Sequence, residues 1–201
     1  MKQIFIITAF LVLQLSTFAQ QKKEILSKDL QIKLALQAAP TDQREEATVY
    51  GYDENGKFVT LREGTNNLIC QAPDVNQALL YVYAYHKSLD AFMARGRELI
   101  AEGKRRQRNE IREAEFKAGK LIIPQTPTML YGYWGSLDNL DKETGEIKDA
   151  KRRYVLYMPY ATADSIGLSD KPTLPGIPWL MDAGTYKAHI MINPPDMGHS
   201  H

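Results

Sequence analysis

The chain has 201 residues, and its 25 basic and 24 acidic side chains give a formal net charge of +1. This balance provides no overall attraction to nucleic acid or to an anionic membrane surface, and the 13 glycines and 10 prolines leave no collagen-like or low-complexity bias. Because 44% of the residues are hydrophobic, a chain of this length can bury a sizeable core. Composition therefore predicts one globular domain and no nucleic-acid partner.

The first 19 residues have the three consecutive segments of a secretory signal peptide, which are a basic start, an apolar core and small residues before the cleavage site. Lys2 is followed by an apolar core over 4–15, and the small residues Thr17 and Ala19 precede Gln20. We expect cleavage before Gln20 and export to the periplasm or the extracellular medium. No later segment approaches the roughly 20 apolar residues that a membrane helix needs, so the sequence predicts no integral membrane segment after cleavage.

Segment 20–46 is predicted to be a helix and a linker. Leucines and alanines at steps of four over 22–39, followed by Pro40, favour an amphipathic helix. Alternation of apolar residues over 30–36 leaves a strand as the alternative. Residues 41–46 are polar and form the linker.

Three strands are predicted over 47–71. The pair Asn55-Gly56 tolerates the positive φ of a tight hairpin turn and separates two short runs of alternating residues. After a second turn at 63–66, a third strand follows over 67–71. This order predicts an antiparallel meander.

Cys70 is the single cysteine of the chain. In an exported protein it could be buried as a small hydrophobic residue, paired between two molecules, or reactive. Its apolar neighbours Leu68, Ile69 and Ala72 favour burial, because an apolar setting disfavours the thiolate.

The centre of the chain is predicted to be helical. Residues 78–85 are expected to be extended, and an apolar face over 88–102 predicts a helix with Ser88 as its N-cap and Gly103 at its end. Four of the five residues in 104–108 are basic. Such a run could contact phosphate or an acidic glycan, but acidic residues one turn later favour a solvated helix face with internal ion pairs.

The last third of the chain is predicted to be rich in strands. Apolar and aromatic runs over 129–134 and 154–160 are joined by the polar segment 136–153. This pattern indicates a long hairpin whose connecting loop is extended and contains turns of its own. Residues 161–175, with their threonines, serines and prolines, are expected to form a surface loop.

Segment 178–192 predicts a second hairpin, with strands at 179–181 and 188–192 around a glycine-containing turn. Alternation places His189 and Met191 on one face of its second strand. His189 is either a core histidine whose ring nitrogens find hydrogen-bond partners, or a residue that handles a ligand or a proton.

Together these segments predict an α+β fold with a mainly antiparallel sheet, made of a meander, a long hairpin and a C-terminal hairpin. An N-terminal helix and a central helical insertion complete it. The globular domain is expected to span 47–192, and 193–201 is expected to be a flexible tail.

The sequence contains no P-loop, dinucleotide-binding fingerprint, nucleophile elbow or closed metal motif, so no cofactor is assigned. A binding or interaction module for an unidentified small molecule or protein is therefore the preferred class. Its aromatic-lined pocket or surface would be formed by Trp179, His189, Met191, Tyr131 and Trp134.

A hydrolase-like or lyase-like enzyme is the first alternative. It would use His189 as an acid or a base. The orienting carboxylate would come from Glu63, Asp164 or Asp182.

A periplasmic metal-handling protein is the second alternative. It would use His189 and His86 together with the C-terminal residues Met197, His199 and His201. These residues come from separate parts of the chain and lack the compact spacing of a zinc motif.

Several short segments carry a resemblance to other proteins. They are Thr60-Leu61-Arg62-Glu63-Gly64-Thr65-Asn66 with Cys70 and Asp74, Leu130-Tyr131-Gly132, Tyr157-Met158-Pro159, and Pro178-Trp179 with Ala183-Gly184-Thr185 and Ala188-His189-Ile190-Met191. In these segments the chain resembles a family of uncharacterised exported bacterial proteins. The resemblance implies an exported single domain and no particular activity. Some members carry a second cysteine shortly after the first, where this chain has tyrosines, and that difference fits a reduced Cys70.

Overall fold

The computed structural model of the protein describes residues 25–195. The predicted signal peptide lies outside this range, and so do Met197, His199 and His201. The helices are α1 (Lys28–Leu36), α2 (Asp90–Ala101), α3 (Arg108–Lys117) and α4 (Ala163–Ile166). The strands are β1 (Thr48–Tyr52), β2 (Phe58–Arg62), β3 (Leu68–Gln71), β4 (Leu80–His86), β5 (Thr128–Gly135), β6 (Lys151–Tyr157), β7 (Trp179–Met181) and β8 (His189–Ile192).

All eight strands belong to one sheet with the order β2-β1-β3-β4-β5-β6-β8-β7. Each neighbouring pair is antiparallel except β1 and β3, which are parallel. The predicted α+β class is therefore confirmed. None of the helices in the described part of the chain is both long and apolar enough to cross a membrane.

The predicted meander over 47–71 is wrong in its strand order. β1 and β2 pair around the Asn55-Gly56 turn, but β3 then pairs with β1 instead of β2. The reason lies in the connection between β2 and β3. Arg62 donates from Nη2 to the carbonyls of Arg44 and Ala47, at 2.6 and 2.8 Å, and Thr65 and Asn66 donate backbone N–H groups to Glu46. These bonds carry the chain back across the start of β1, so β3 adds to the free edge of β1.

Helix α1 covers one face of the sheet. It begins at Lys28, where the Ser27 hydroxyl accepts a hydrogen bond from the Leu30 amide, and ends before Pro40. Leu34 and Ala35 are fully buried. Cys70 lies in the same core cluster with no exposed surface, so the predicted burial of this thiol is confirmed. Burial raises the pKa of Cys70 to about 12.

Helices α2 and α3 cover the opposite face, where Tyr83 and Tyr85 of β4 pack with Phe92 and Phe116. The predicted N-cap Ser88 is wrong. A 3-10 turn over Lys87–Leu89 precedes α2, and the ring nitrogen Nδ1 of His86 accepts from the Ser88 amide instead. The helix stops where predicted, because Gly103 has a φ of +75°.

Candidate functional site

A groove of about 600 Å³ lies at the β6–β8–β7 end of the sheet, on the face that α2 and α3 cover elsewhere. We call it the Trp134–Trp179 groove. It is lined by Trp134, Lys151, Arg152, Arg153, Pro172, Thr173, Leu174, Pro175, Gly176, Trp179, Asn193, Pro194 and Pro195.

The floor of the groove is set by the register of β4, β5 and β6. Tyr81 is opposite Trp134, and their rings stack with centroids 6.2 Å apart. Arg153 is opposite Gly132. A Cβ atom at position 132 would lie 3.7 Å from the Arg153 Cβ and 3.9 Å from the Trp134 Cζ3. Because Gly132 has no side chain, the indole and the guanidinium can meet across it.

Arg153 is held in place on this floor. Its Cζ lies 5.1 Å from the centroid of the Trp134 ring, and its Nε donates to the Asn193 Oδ1 at 2.7 Å. Arg153 forms no ion pair with any residue of 25–195. Within the same residues, its Nη1 and Nη2 groups form no hydrogen bond, and the Nε–Asn193 bond is its hydrogen bond to the protein.

The cations of β6 alternate between the two faces of the sheet. Arg152 turns away from the groove, since its Nη1 donates to the Gln37 carbonyl at 2.9 Å and its Cζ lies 4.7 Å from the Tyr133 ring. Lys151 shares the face of Arg153 and is exposed. Two cationic side chains, Lys151 and Arg153, thus point toward the groove.

The opposite wall is formed by a proline-containing loop and by the segment that follows β8. Pro172, Pro175, Pro194 and Pro195 restrict the backbone of this wall. Gly176 has a φ of +80°, and a Cβ there would lie 3.1 Å from the Pro195 Cδ, so this position favours glycine for both reasons.

The five aromatic, histidine and methionine residues proposed from the sequence as a ligand surface do not lie together. Trp134 and Trp179 line the groove. Met191 is opposite Trp179 in the sheet and is buried beneath it, with 7% of its surface exposed. Tyr131 points to the α1 face and packs edge-on against Tyr154, with centroids 6.0 Å apart. His189 lies two residues before Met191 in β8, outside the groove lining.

His189 is the first residue of β8, and its side chain contacts the turn between β7 and β8. Its Nδ1 is 2.8 Å from the Lys187 carbonyl oxygen and 3.8 Å from the Asp182 Oδ2. The Lys187 Nζ lies 2.6 Å from the same Asp182 oxygen. Burial lowers the pKa of His189, and only part of this effect is offset by the Lys187 carbonyl and by Asp182. The neutral imidazole with a proton on Nδ1 fits these contacts, since that nitrogen can then donate to the carbonyl.

Of the three carboxylates considered as partners of His189, only Asp182 is near it. Asp182 is engaged by Lys187, so it does not act on the imidazole alone. Glu63 follows β2, which is six strand positions from β8, a distance of about 29 Å. No contact between Asp164 and His189 occurs within residues 25–195. The pairing of His189 with Glu63 is therefore wrong.

The described residues contain no group of three or more histidine, cysteine, aspartate or glutamate side chains that could hold a metal ion. His86 is exposed and bonds to the Ser88 Oγ at 2.8 Å. It lies in β4, three strand positions from His189 in β8, which is about 14 Å. The remaining proposed ligands, Met197, His199 and His201, lie outside the described residues.

Sequence reasoning missed Arg153 and Asn193, because it placed the start of β6 at residue 154 and assigned Lys151 and Arg153 to a polar loop. The run Lys151-Arg152-Arg153 has no alternation of polar and apolar side chains, so it carries no strand signal of its own. The pairing of Arg153 with Asn193 joins two distant segments and has no signal in a single sequence.

Comparison of the chain with protein-family models, with curated proteins and with solved structures gives no match in any of the three.

Proposed function

We propose that the protein is an exported binding module whose ligand site is the Trp134–Trp179 groove. The observation that carries this proposal is the position of the two tryptophans. The chain has two, and both line the same groove. The groove volume of about 600 Å³ lies inside the range of about 300 to 1,000 Å³ that is usual for ligand pockets.

The chemistry of the lining favours binding over catalysis. Indole rings, prolines and cations offer stacking surfaces and positive charge. Among residues 25–195, none of the side chains that line the groove is a histidine, a carboxylate or a thiol. Those are the groups that most often transfer a proton or attack a substrate near neutral pH. A groove of this composition therefore supports recognition of a ligand.

Intrinsic tryptophan fluorescence tests this proposal directly, because every tryptophan signal comes from the groove wall. We expect a saturable change in emission when the purified protein is titrated with a ligand found in a mixed panel of oligosaccharides, aromatic acids, nucleotides and peptides. Trp134→Phe and Trp179→Phe should weaken that binding. Ile122→Ala is the matched control, since Ile122 is 72% exposed and lies outside the groove lining.

Export forms the second half of the proposal and is supported by the signal-peptide pattern of residues 1–19. Mass spectrometry of protein recovered from the periplasm or the medium should give a mature N-terminus at Gln20 or within two residues of it. A chain that keeps Met1 and stays with the inner membrane would contradict export.

A further inference from the structure

All the charged side chains that line the Trp134–Trp179 groove are positive. Lys151 and Arg153 project from the same face of β6, two residues apart, which corresponds to a rise of about 7 Å along the strand. None of the lining residues in the described chain is acidic. Positive charge that is not neutralised by its surroundings indicates a ligand with negative charge.

Arg153 has the geometry of a prepared carboxylate receptor. Its guanidinium plane is supported by the Trp134 ring, and its Nε is already occupied by the Asn193 side chain. The two terminal nitrogens can then donate two parallel hydrogen bonds to one planar carboxylate. Because Asn193 fixes the side chain before the ligand arrives, less conformational entropy is lost on binding.

Trp179 complements this charge with flat apolar surface, beside the Trp134 ring on which Tyr81 stacks and which Arg153 approaches. Both Trp134 and Trp179 are half-buried, so each keeps part of its ring surface accessible to a ligand. The C–H face of a pyranose ring fits such a surface. The groove volume of about 600 Å³ gives this surface room for a ligand of the usual small-molecule size.

Building on the binding function proposed above, we propose that the groove binds an acidic oligosaccharide, a linear chain of uronic acid units. Its carboxylates would bind Arg153 and Lys151, and a ring face would pack on Trp179, next to the Trp134 indole that supports Arg153. Single-stranded nucleic acid shares the negative charge and the flat rings, but it needs a longer cationic track along its backbone than two side chains provide.

The test uses short oligomers of three uronic acids, galacturonate, glucuronate and mannuronate, each paired with its neutral methyl ester. Titrations are followed by tryptophan fluorescence of the full mature chain. At least one acidic oligomer should bind saturably, and its methyl ester should bind about tenfold more weakly or worse, since the ester loses the charge-assisted hydrogen bonds.

Variants then locate the contact. Arg153→Gln should weaken the acidic oligomer about tenfold and leave the ester nearly unchanged. Arg105→Gln is the matched control, because it removes one positive charge at an exposed position outside the groove. If Arg153→Gln fails to fold, as judged by a thermal melt, Lys151→Gln provides the same test at an exposed residue.

The outcomes separate this inference from the binding function itself. Equal affinity for an acid and its ester, or no binding of any of the three uronic acids while another ligand class binds, overturns the uronic acid assignment and leaves the binding module intact. Tighter binding of a short oligothymidylate, lost in Arg153→Gln, likewise overturns it in favour of nucleic acid. A fluorescence signal that no ligand of any class saturates overturns both.

Discussion

The guanidinium carbon of Arg153 lies 5.1 Å from the centroid of the Trp134 ring. A fixed positive charge is thus placed beside one of the two fluorophores of the chain, and Lys151 adds a second charge on the same strand face. The electrostatic field of the groove can therefore be measured without any ligand.

Charged quenchers provide this measurement. At equal ionic strength, the ratio of iodide to caesium quenching constants should be higher for the protein than for free N-acetyltryptophanamide, because cations in the groove concentrate anions near the indoles. Arg153→Gln should lower the iodide quenching constant by about twofold and leave acrylamide quenching unchanged. An iodide-to-caesium ratio equal to that of N-acetyltryptophanamide would show that the groove carries no net positive field.

Trp179 and its neighbour Leu180 should differ in their contributions to stability and to ligand binding. Trp179 is half-buried at the groove, whereas Leu180 is 1% exposed and packs with Ala161 and Ala188. We expect Leu180→Ala to lower the free energy of unfolding by about 2 to 5 kcal/mol. Trp179→Ala should cost less, about 1 to 3 kcal/mol, and should abolish ligand binding. Urea unfolding of both variants checks this, and a larger loss for Trp179→Ala would assign it to the core.

Cys70 should behave as a buried thiol. Burial raises its pKa from 9.0 to about 12, so the folded state keeps a proton that the unfolded chain releases above about pH 9. The contribution of the buried thiol to the free energy of unfolding is therefore complete below pH 9 and is lost as pH rises from 9 to 12. Cys70→Ala should cost about 1 kcal/mol near pH 7 and less as pH rises.

Thiol labelling provides the complementary measurement for Cys70. A thiol reagent should label the protein in urea and should not label the native protein, since the native thiol has no exposed surface. Rapid labelling of the folded chain would instead indicate an accessible, reactive thiol.

His189 should be a stabilising residue with a defined acid dependence. Its pKa is lowered by burial, so below about pH 6.5 the unfolded chain binds a proton that the folded chain excludes. The stability that His189 contributes is thus present above pH 6.5 and falls as pH drops through the folded pKa. His189→Gln should lower the free energy of unfolding by about 1 to 3 kcal/mol at pH 7.5 and should flatten its decline toward pH 5.

The control for His189 is Leu180→Ala, which is destabilised but keeps the imidazole. Its decline in stability toward acid should parallel that of the wild type. A His189→Gln protein with unchanged melting and lost ligand binding would make this histidine a functional residue.

Gly64 should be the least replaceable glycine of the β2–β3 connection. A Cβ at this position would collide with the backbone of Glu46, Ala47 and Thr48. Gly64→Ala should therefore lower the free energy of unfolding by about 3 kcal/mol or more. Gly103→Ala is the comparison, because its φ is positive but open space surrounds it, and about 1 kcal/mol is expected there. Urea unfolding of both variants gives the difference.

The sequence predicted those features of the fold that depend on local chemistry. The apolar and aromatic run over 129–134 and the turn at Asn55-Gly56 predicted strands that the structure contains. The parallel pairing of β1 with β3 was not predictable in the same way, because it depends on Arg62 reaching the carbonyls of residues 44 and 47. Such a contact is set by tertiary packing, which leaves no periodic pattern in the sequence.

The candidate site was predictable only in its aromatic part. Trp134 and Trp179 were chosen because large aromatic side chains often form binding surfaces. Arg153 was not, since a basic residue at the border of a polar segment resembles a solvated loop until the strand register is known. For His189 the sequence left two alternatives, a core histidine and a residue that handles a ligand or a proton, and its contact with the Lys187 carbonyl fits the core histidine.

Strand β7 has three residues, and its ladder hydrogen bonds go to β8 alone, with one further backbone bond from Leu180 to Ser169. An edge strand with so few bonds opens locally at a lower free energy than the central strands β4 and β5. The wall that carries Trp179 is thus more easily released from the sheet than the floor that carries Trp134. A ligand that bridges the two tryptophans would bind only the closed form, so its apparent affinity is reduced by the fraction of molecules in which this edge is open.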